Sequence, residues 1–301
     1  MKKEMPLVYI VLLNYNGVND TIDCLKSLQN VNYAEMKTIV VDNASTDDSV
    51  AKLKSVQPEY DFLLLTGNEN NGFSAGNNIG IKYAMKNNAD YVLLLNNDTV
   101  VEPDFLSYAV EASEKDDNVG LTIGKILYYK EPELIWYGGG ELQKPYFYAK
   151  HSGFRENKDA PEYNIQKYVT FATGCYFLLK RKTIESVGML EEDYFMYCED
   201  TDYCFRINKS NQKILYCPKS VIYHKIGASS GKGSDFSTYY IARNTIILLK
   251  RFLPFYRRLI PRLFWYYKMF RSSISGKLNT EAFWKGVRAG IKAESGKSDN
   301  L

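Results

Sequence analysis

The sequence predicts an α/β fold built on a mostly parallel central sheet flanked by helices. Short, almost continuously apolar runs recur at 7–13, 36–42, 61–66 and 91–95, and a segment of helical spacing follows each. Runs of that kind are strands buried on both faces, as in a parallel sheet covered by helices. Each run also ends in small polar residues: NYNG, DNAST, NENNG and NNDT. Ligands of such sheets bind beyond the carboxyl ends of the strands, so four strands deliver polar groups to one edge.

The elements follow in order. LVYIVLL (7–13) is the first strand, and GVNDTIDCLKSLQN is a helix with Ile22, Leu25 and Leu28 on one face. MKTIVVD (36–42) is the second strand. The next helix is expected to open at Ser45 or Thr46 as N-cap, with Asp47 and Asp48 in its first turn. DFLLLT, FSAGNNIGIKYAMKNN, YVLLL and EPDFLSYAVEASEK continue the alternation, the last with Pro103 near its start. From 119 to 180 the texture becomes antiparallel strands and loops, including the Gly-rich ELIWYGGGELQ. RKTIESVGML and EDTDYCFRINKS read as helices, KILYCP (213–218) as a strand, and YYIARNTIILLKRF as a helix ending before Pro254. The expected division is a domain over 1–240, with halves 1–118 and 119–240, and a helical extension over 241–301.

A chain of 301 residues with 45% hydrophobic content can bury one sizeable core and a smaller appended unit. Its net charge of +3 is unevenly spread. Residues 241–301 hold 13 Lys/Arg against 3 Asp/Glu, and residues 1–240 hold 25 against 32. A basic tail on an acidic body points to an anionic partner for the tail. The acidic body and the lack of a recognition motif argue against nucleic acid. The five cysteines show no C-x-x-C spacing, which argues against a zinc site or a disulfide framework. The apolar start runs into NYNG without a cleavage signal, so it reads as the first strand of a cytoplasmic protein. No apolar stretch reaches the ~18 residues needed to span a bilayer.

Several polar clusters carry chemistry. Asp42 closes the second strand, where it either accepts from a ligand or caps the next helix. Asn71, Asn77 and Asn78 lie among Gly72 and Gly76, which allow close backbone approach. Neither a G-x-x-x-x-G-K-[ST] loop nor a G-x-G-x-x-G turn is present, which disfavours an ATPase or a nicotinamide enzyme. Glu199, Asp200 and Asp202 bunch at a helix start, where acids are common for dipole reasons but where crowding also makes a general base. His224 is one of two histidines and on its chemistry alone is more readily structural than a ligand.

VLLNYNG, VVDNASTDDS, NNGFSAGNNIG, LLLNNDTVV, TGCYFLLKR, the EDTD cluster and YYIARN occur in this order. Together they resemble the inverting family 2 glycosyltransferases of GT-A fold, in particular the rhamnosyltransferase-like branch, over roughly residues 6–250. The resemblance implies transfer of a sugar, with rhamnose favoured, from a dTDP- or UDP-sugar to a glycan or lipid-linked acceptor. It implies donor contacts from Asn14, Tyr15, Asn16, Asp42, Asn43, Asn71, Gly72, Phe73, Ala75, Asn77 and Asn97. Asp98 matches the second acid of the family's metal motif and Asn96 replaces the first; His224 matches a position that completes the site in some members. A divalent cation, Mg²⁺ or Mn²⁺, is thus implied, held weakly until the donor's diphosphate arrives. Asp200 matches the base, with Glu199 and Asp202 on the acceptor side.

The tail alternates Arg257, Arg258, Arg262, Lys268 and Arg271 with bulky apolar residues, a composition suited to an anionic membrane surface over 250–275. The alternative is an aromatic face packed on the body. The expected location is cytoplasmic, with peripheral contact at the inner face of the plasma membrane. A non-catalytic nucleotide-sugar or glycan-binding module is the rival from another class; the retained acid cluster argues against it.

Overall fold

The computed structural model describes residues 5–143, 146–225, 234–274 and 279–298. Residue 275, the end of the segment read as a membrane contact, lies outside them. The first half alternates as expected: β1 (Val8–Asn14), α1 (Val18–Leu28), β2 (Met36–Asp42), α2 (Ser49–Tyr60), β3 (Phe62–Thr66), α3 (Gly72–Lys86) and β4 (Tyr91–Asn96). Then come β5 (Thr99–Val101), α4 (Phe105–Glu114), β6 (Val119–Tyr128), β7 (Ile135–Tyr137), β8 (Gly140–Gln143), β9 (Tyr148–His151) and β10 (Lys167–Val169). The chain continues through β11 (Tyr176–Lys180), α5 (Arg181–Val187), α6 (Glu199–Lys209) and β12 (Lys213–His224). Three helices follow: α7 (Asp235–Phe252), α8 (Leu259–Ile274) and α9 (Thr280–Lys292).

The main sheet runs β10-β12-β6-β11-β4-β1-β2-β3, while β8 and β9 form a separate hairpin. β3, β2, β1 and β4 are mutually parallel. β11 is antiparallel to both β4 and β6, and β12 lies parallel to β6. α3 packs tightly on β1, because side chains at Gly76 and Gly80 would overlap Leu13 and Val11. That close approach fixes the start of α3 above the strand ends.

Three expectations are corrected. α2 starts at Ser49 with Asp48 as N-cap, so Ser45 and Thr46 do not cap it. Both are drawn back into the loop: Ser45 Oγ donates to Asp42 Oδ2 at 2.6 Å and Thr46 N donates to Asn16 Oδ1 at 2.8 Å. The strand expected at 213–218 continues past Pro218, with a register shift between Cys217 and Val221, as far as His224. The bulge lets a proline sit in an interior strand.

The third correction is the boundary at 240, which cuts through α7. α7 and α9 pack closely: a Cβ on Gly290 would lie 2.6 Å from the Arg243 carbonyl oxygen, and Gly286 is similarly pressed on Tyr239. Residues 279–298 are therefore docked on the body through α7. Replacing Gly290 with valine forces these helices apart. Chemical denaturation of Gly290→Val should show a loss of about 1–3 kcal/mol, as for other overpacked contacts.

Candidate active site

A cleft of about 650 Å³ opens at the carboxyl ends of β1 and β4. Tyr15, Asn43, Asn70, Gly72, Phe73, Asn96, Asn97 and Asp98 line it. Phe195, Met196, Ser234, Asp235, Phe236, Tyr240, Lys297 and Ser298 form the opposite wall. Two further clefts, of about 720 and 800 Å³, touch the amino ends of the strands. Among the described residues, polar strand ends converge on the first of these three, so we take it as the site.

The pairing of β5 with β12 sets Thr99 opposite His224, which brings Asp98 to the imidazole. His224 Nε2 lies 3.1 Å from Asp98 Oδ1, and the ring edge packs on Trp136 at 4.7 Å between centroids. Burial works against both charges. For Asp98 the His224 hydrogen bond and charge prevail and hold its carboxyl below the ordinary 3.8. For His224 the Cys175 sulfur and Asp98 outweigh burial and push the ring up to about 10. Among the described residues, His224 Nδ1 is buried without a hydrogen-bond partner.

A second acid pair opens α6. Tyr197 and Cys198 precede it with φ of 71° and 73°, in the left-handed region that non-glycine residues rarely enter. This turn is clamped by Asn244 of α7, whose Nδ2 donates to the carbonyls of Met196 and Tyr197, each at 2.8 Å. Asp200 accepts from Thr201 N at 2.6 Å and from Gly174 N at 3.4 Å. Burial raises Asp200 despite those amides. Burial, then the charge of Asp200, pushes Glu199 up to about 8. Glu199 Oε2 has no hydrogen-bond partner among the described residues.

The turn Thr173–Cys175 joins the two acid groups. Gly174 N faces Asp200, while the Cys175 carbonyl accepts from Asn96 N at 3.0 Å. A Cβ on Gly174 would meet the Phe73 ring at 3.4 Å and Asp200 Cβ at 3.6 Å. Asp200 thus sits behind Phe73, beside the cleft, and Asn96 and Asp98 stand within it.

A match to the glycosyl transferase family 2 model covers residues 9–188. The chain belongs to this family. It is a glycosyltransferase, not the binding module weighed as the alternative. This family 2 chain is 24% identical over 254 residues to the dTDP-rhamnosyl transferase RfbF of Shigella flexneri, covering 81% of this chain and 80% of that one. Over 251 residues it is 26% identical to the low-salt glycan biosynthesis hexosyltransferase Agl10 of Haloferax volcanii, covering 79% and 75%. Among solved structures, GalNAc-T7 with UDP, GalNAc and Mn²⁺ aligns with a TM-score of 0.65 and 13% identity. That alignment covers 83% of this chain and 48% of GalNAc-T7, so the chain spans about half of that protein. The mannosyltransferase PcManGT from Pyrobaculum calidifontis, in complex with GDP-Man and Mn²⁺, aligns at 0.57 with 14% identity, covering 97% and 86%. At these identities the structures speak for the fold alone, and it is the expected GT-A fold.

The expected site residues of this glycosyltransferase divide between cleft and scaffold. Tyr15, Asn43, Gly72, Phe73, Asn96, Asn97 and Asp98 line the cleft. Asp42, expected among the donor contacts, has no exposed surface; it accepts from Asn14 Nδ2 at 2.7 Å, Ser45 Oγ at 2.6 Å and Ser45 N at 2.9 Å. Asp42 and Asn14 therefore shape the loop behind the cleft. Asn16 clamps Thr46 through both ends of its amide. Asn71 turns to Glu69, and Asn77 donates to the Phe73 carbonyl within α3. Ala75 lies half-buried on α3 and is not on the cleft wall. Asn97 lines the cleft, but its Nδ2 is tied to Thr21 Oγ1 at 2.9 Å. Asp202, expected on the acceptor side, is fully buried and bonded to Arg206, Arg251 and Tyr194. It holds α6 in place instead.

The sequence reading missed the far wall and its supports. Arg243 and Asn244 lie in YYIARN, and Gly174 in TGC, segments noticed as motifs but given no role. Asn78 Nδ2 donates to the Leu190 carbonyl at 2.9 Å and fixes the approach to α6. Nothing in the sequence signals Phe236, Lys297 or Trp136.

The high value of Glu199 has a stability consequence. Between the unfolded carboxyl's usual range near 4.5 and about 8, only the folded state holds this proton. That contribution is present at low pH and is lost as pH rises through the folded value. Glu199→Gln should therefore gain melting temperature relative to the parent between pH 5 and pH 9. Parallel melting curves across that range would contradict the burial argument.

Proposed function

We propose that this glycosyltransferase moves a sugar from a nucleoside-diphosphate sugar to a hydroxyl of a glycan acceptor, with inversion. The observation that carries this reading is the Thr173–Cys175 turn, which couples Asp200, a half-buried acid raised by its surroundings, to the end of β4 at Asn96, two residues before Asp98. Asp200 accepts the acceptor's hydroxyl proton as that oxygen bonds to the anomeric carbon. The bond from that carbon to the diphosphate oxygen breaks, and the nucleoside diphosphate leaves. Glu199, protonated at neutral pH, keeps a second negative charge away from Asp200.

Tyr15, Asn43, Asn70, Gly72 and Phe73 face the donor in this reading. RfbF supports a dTDP donor and rhamnose, and the UDP complex of GalNAc-T7 supports UDP as the alternative. The acceptor is a growing cell-surface glycan, including a lipid-linked one at the inner face of the plasma membrane.

Asp98, His224 and Asn96 offer a carboxylate, an imidazole and an amide, donors suited to Mg²⁺ or Mn²⁺. Among the described residues no three His, Cys, Asp or Glu side chains are grouped so as to hold a metal ion by themselves. The protein donors therefore fit half a coordination shell, leaving the rest to diphosphate and water. Held by Asp98, His224 and Asn96, such an ion would supply neutralisation of the charge on the leaving diphosphate. The Mn²⁺ in both structural neighbours supports this reading.

Asp200→Asn should bind donor normally by calorimetry while kcat falls about 10²–10⁴-fold. Ordinary turnover by this variant refutes the assignment of the base. Donor should raise the melting temperature more with Mn²⁺ than without, and Asp98→Ala should abolish the difference. Excess EDTA should stop transfer; full activity under EDTA removes the metal role of Asp98 and His224.

A further inference from the structure

Residues 250–274 contain seven Lys or Arg and no Asp or Glu. Within this segment α8 is anchored on two sides. Phe264 stacks on Tyr146 at 4.5 Å, and Lys268 Nζ sits 3.6 Å over the Tyr148 ring. Tyr266 packs against Phe283 and Trp284 of α9. A third side is uncovered: Leu259, Ile260, Leu263, Tyr267 and Phe270 are each 56–65% exposed. At about 100° per residue these five fall within an arc of about 100°. Tyr256 and Phe255 extend the apolar surface through the preceding turn, and exposed Arg257 and Arg271 flank it.

We propose that this face docks on an anionic lipid surface. Exposed apolar surface of this extent on one helix is an interaction site rather than chance. Its aromatic residues and bordering arginines match the interface of acyl chains and anionic headgroups, where a helix lies in the plane. A second copy is a poorer occupant, because it brings another seven cations and no acid from the same segment. The inference rests on the proposed function for its purpose: the surface carries the cleft to acceptors held on lipid.

The test uses the full chain with vesicles of phosphatidylcholine, alone or mixed with phosphatidylglycerol, and no donor or acceptor. Co-sedimentation should be about tenfold stronger on the anionic vesicles and should weaken with salt. Replacing two exposed residues, Leu263→Asp with Phe270→Asp, should leave the melting temperature unchanged and reduce vesicle binding about tenfold. Failure of the parent to bind anionic vesicles overturns the proposal, as does equal binding by the double variant. A dimer in gel filtration that the double variant splits, with vesicle binding unchanged, assigns the face to a second copy and also overturns it. A chain that binds vesicles but transfers no sugar overturns the catalytic reading alone. An active transferase indifferent to anionic vesicles overturns the membrane surface alone.

Discussion

The candidate site depends on one constraint: α7 holds a left-handed turn that the chain would otherwise avoid. Tyr197 and Cys198 both take positive φ, and neither is glycine. Asn244 satisfies two carbonyls of this turn, and the adjacent Arg243 reaches the carbonyls of Asp193 and Gly296. Arg243 is almost wholly buried, with its guanidinium over the Tyr240 ring at 4.7 Å. A buried cation spent on backbone carbonyls is costly, so the fold invests it where a loop must not move. That loop aims Glu199 and Asp200, and its Phe195 carbonyl accepts from Phe73 N at 2.8 Å. The cleft wall, the acid pair and the last described residues are thereby joined into one body.

The sheet and its polar edge were legible because they rest on local pattern. Four apolar runs at β1, β2, β3 and β4 need no knowledge of the rest of the chain. The division of polar residues between cleft and scaffold was not legible, because an amide or carboxylate at a strand end looks the same in either role. Asn14 and Asp42 spend their hydrogen bonds on each other and on the loop to Ser45, whereas Asn43, one residue on, lines the cleft. The difference lies in which way the strand end faces. Asp202 shows the same limit: it is two residues from Asp200, but its helical position points it at Arg206 and Arg251. Charge was equally misleading about domains. The basic shift near 241 marks a change of surface, while the packed unit runs on through α7 and α9.

The relation between the two halves of the site is long-range and could only be guessed through family likeness. Asp98 and His224 are 126 residues apart, and their meeting depends on a three-residue strand pairing with the end of a bulged one. Their side chains bond each other, and in the proposed reading a bound cation would have to replace that mutual attraction with its own. With Asn96 in place of an acid, the site has one formal negative charge with which to do so. In the proposed reading the donor's diphosphate would supply the missing charge, and ion and donor would favour each other's binding by linkage. On that reading, a site short of acids would make metal binding conditional on substrate. The same economy would govern the proposed base: Asp200 is half-buried, and a Glu199 protonated beside it adds no second charge.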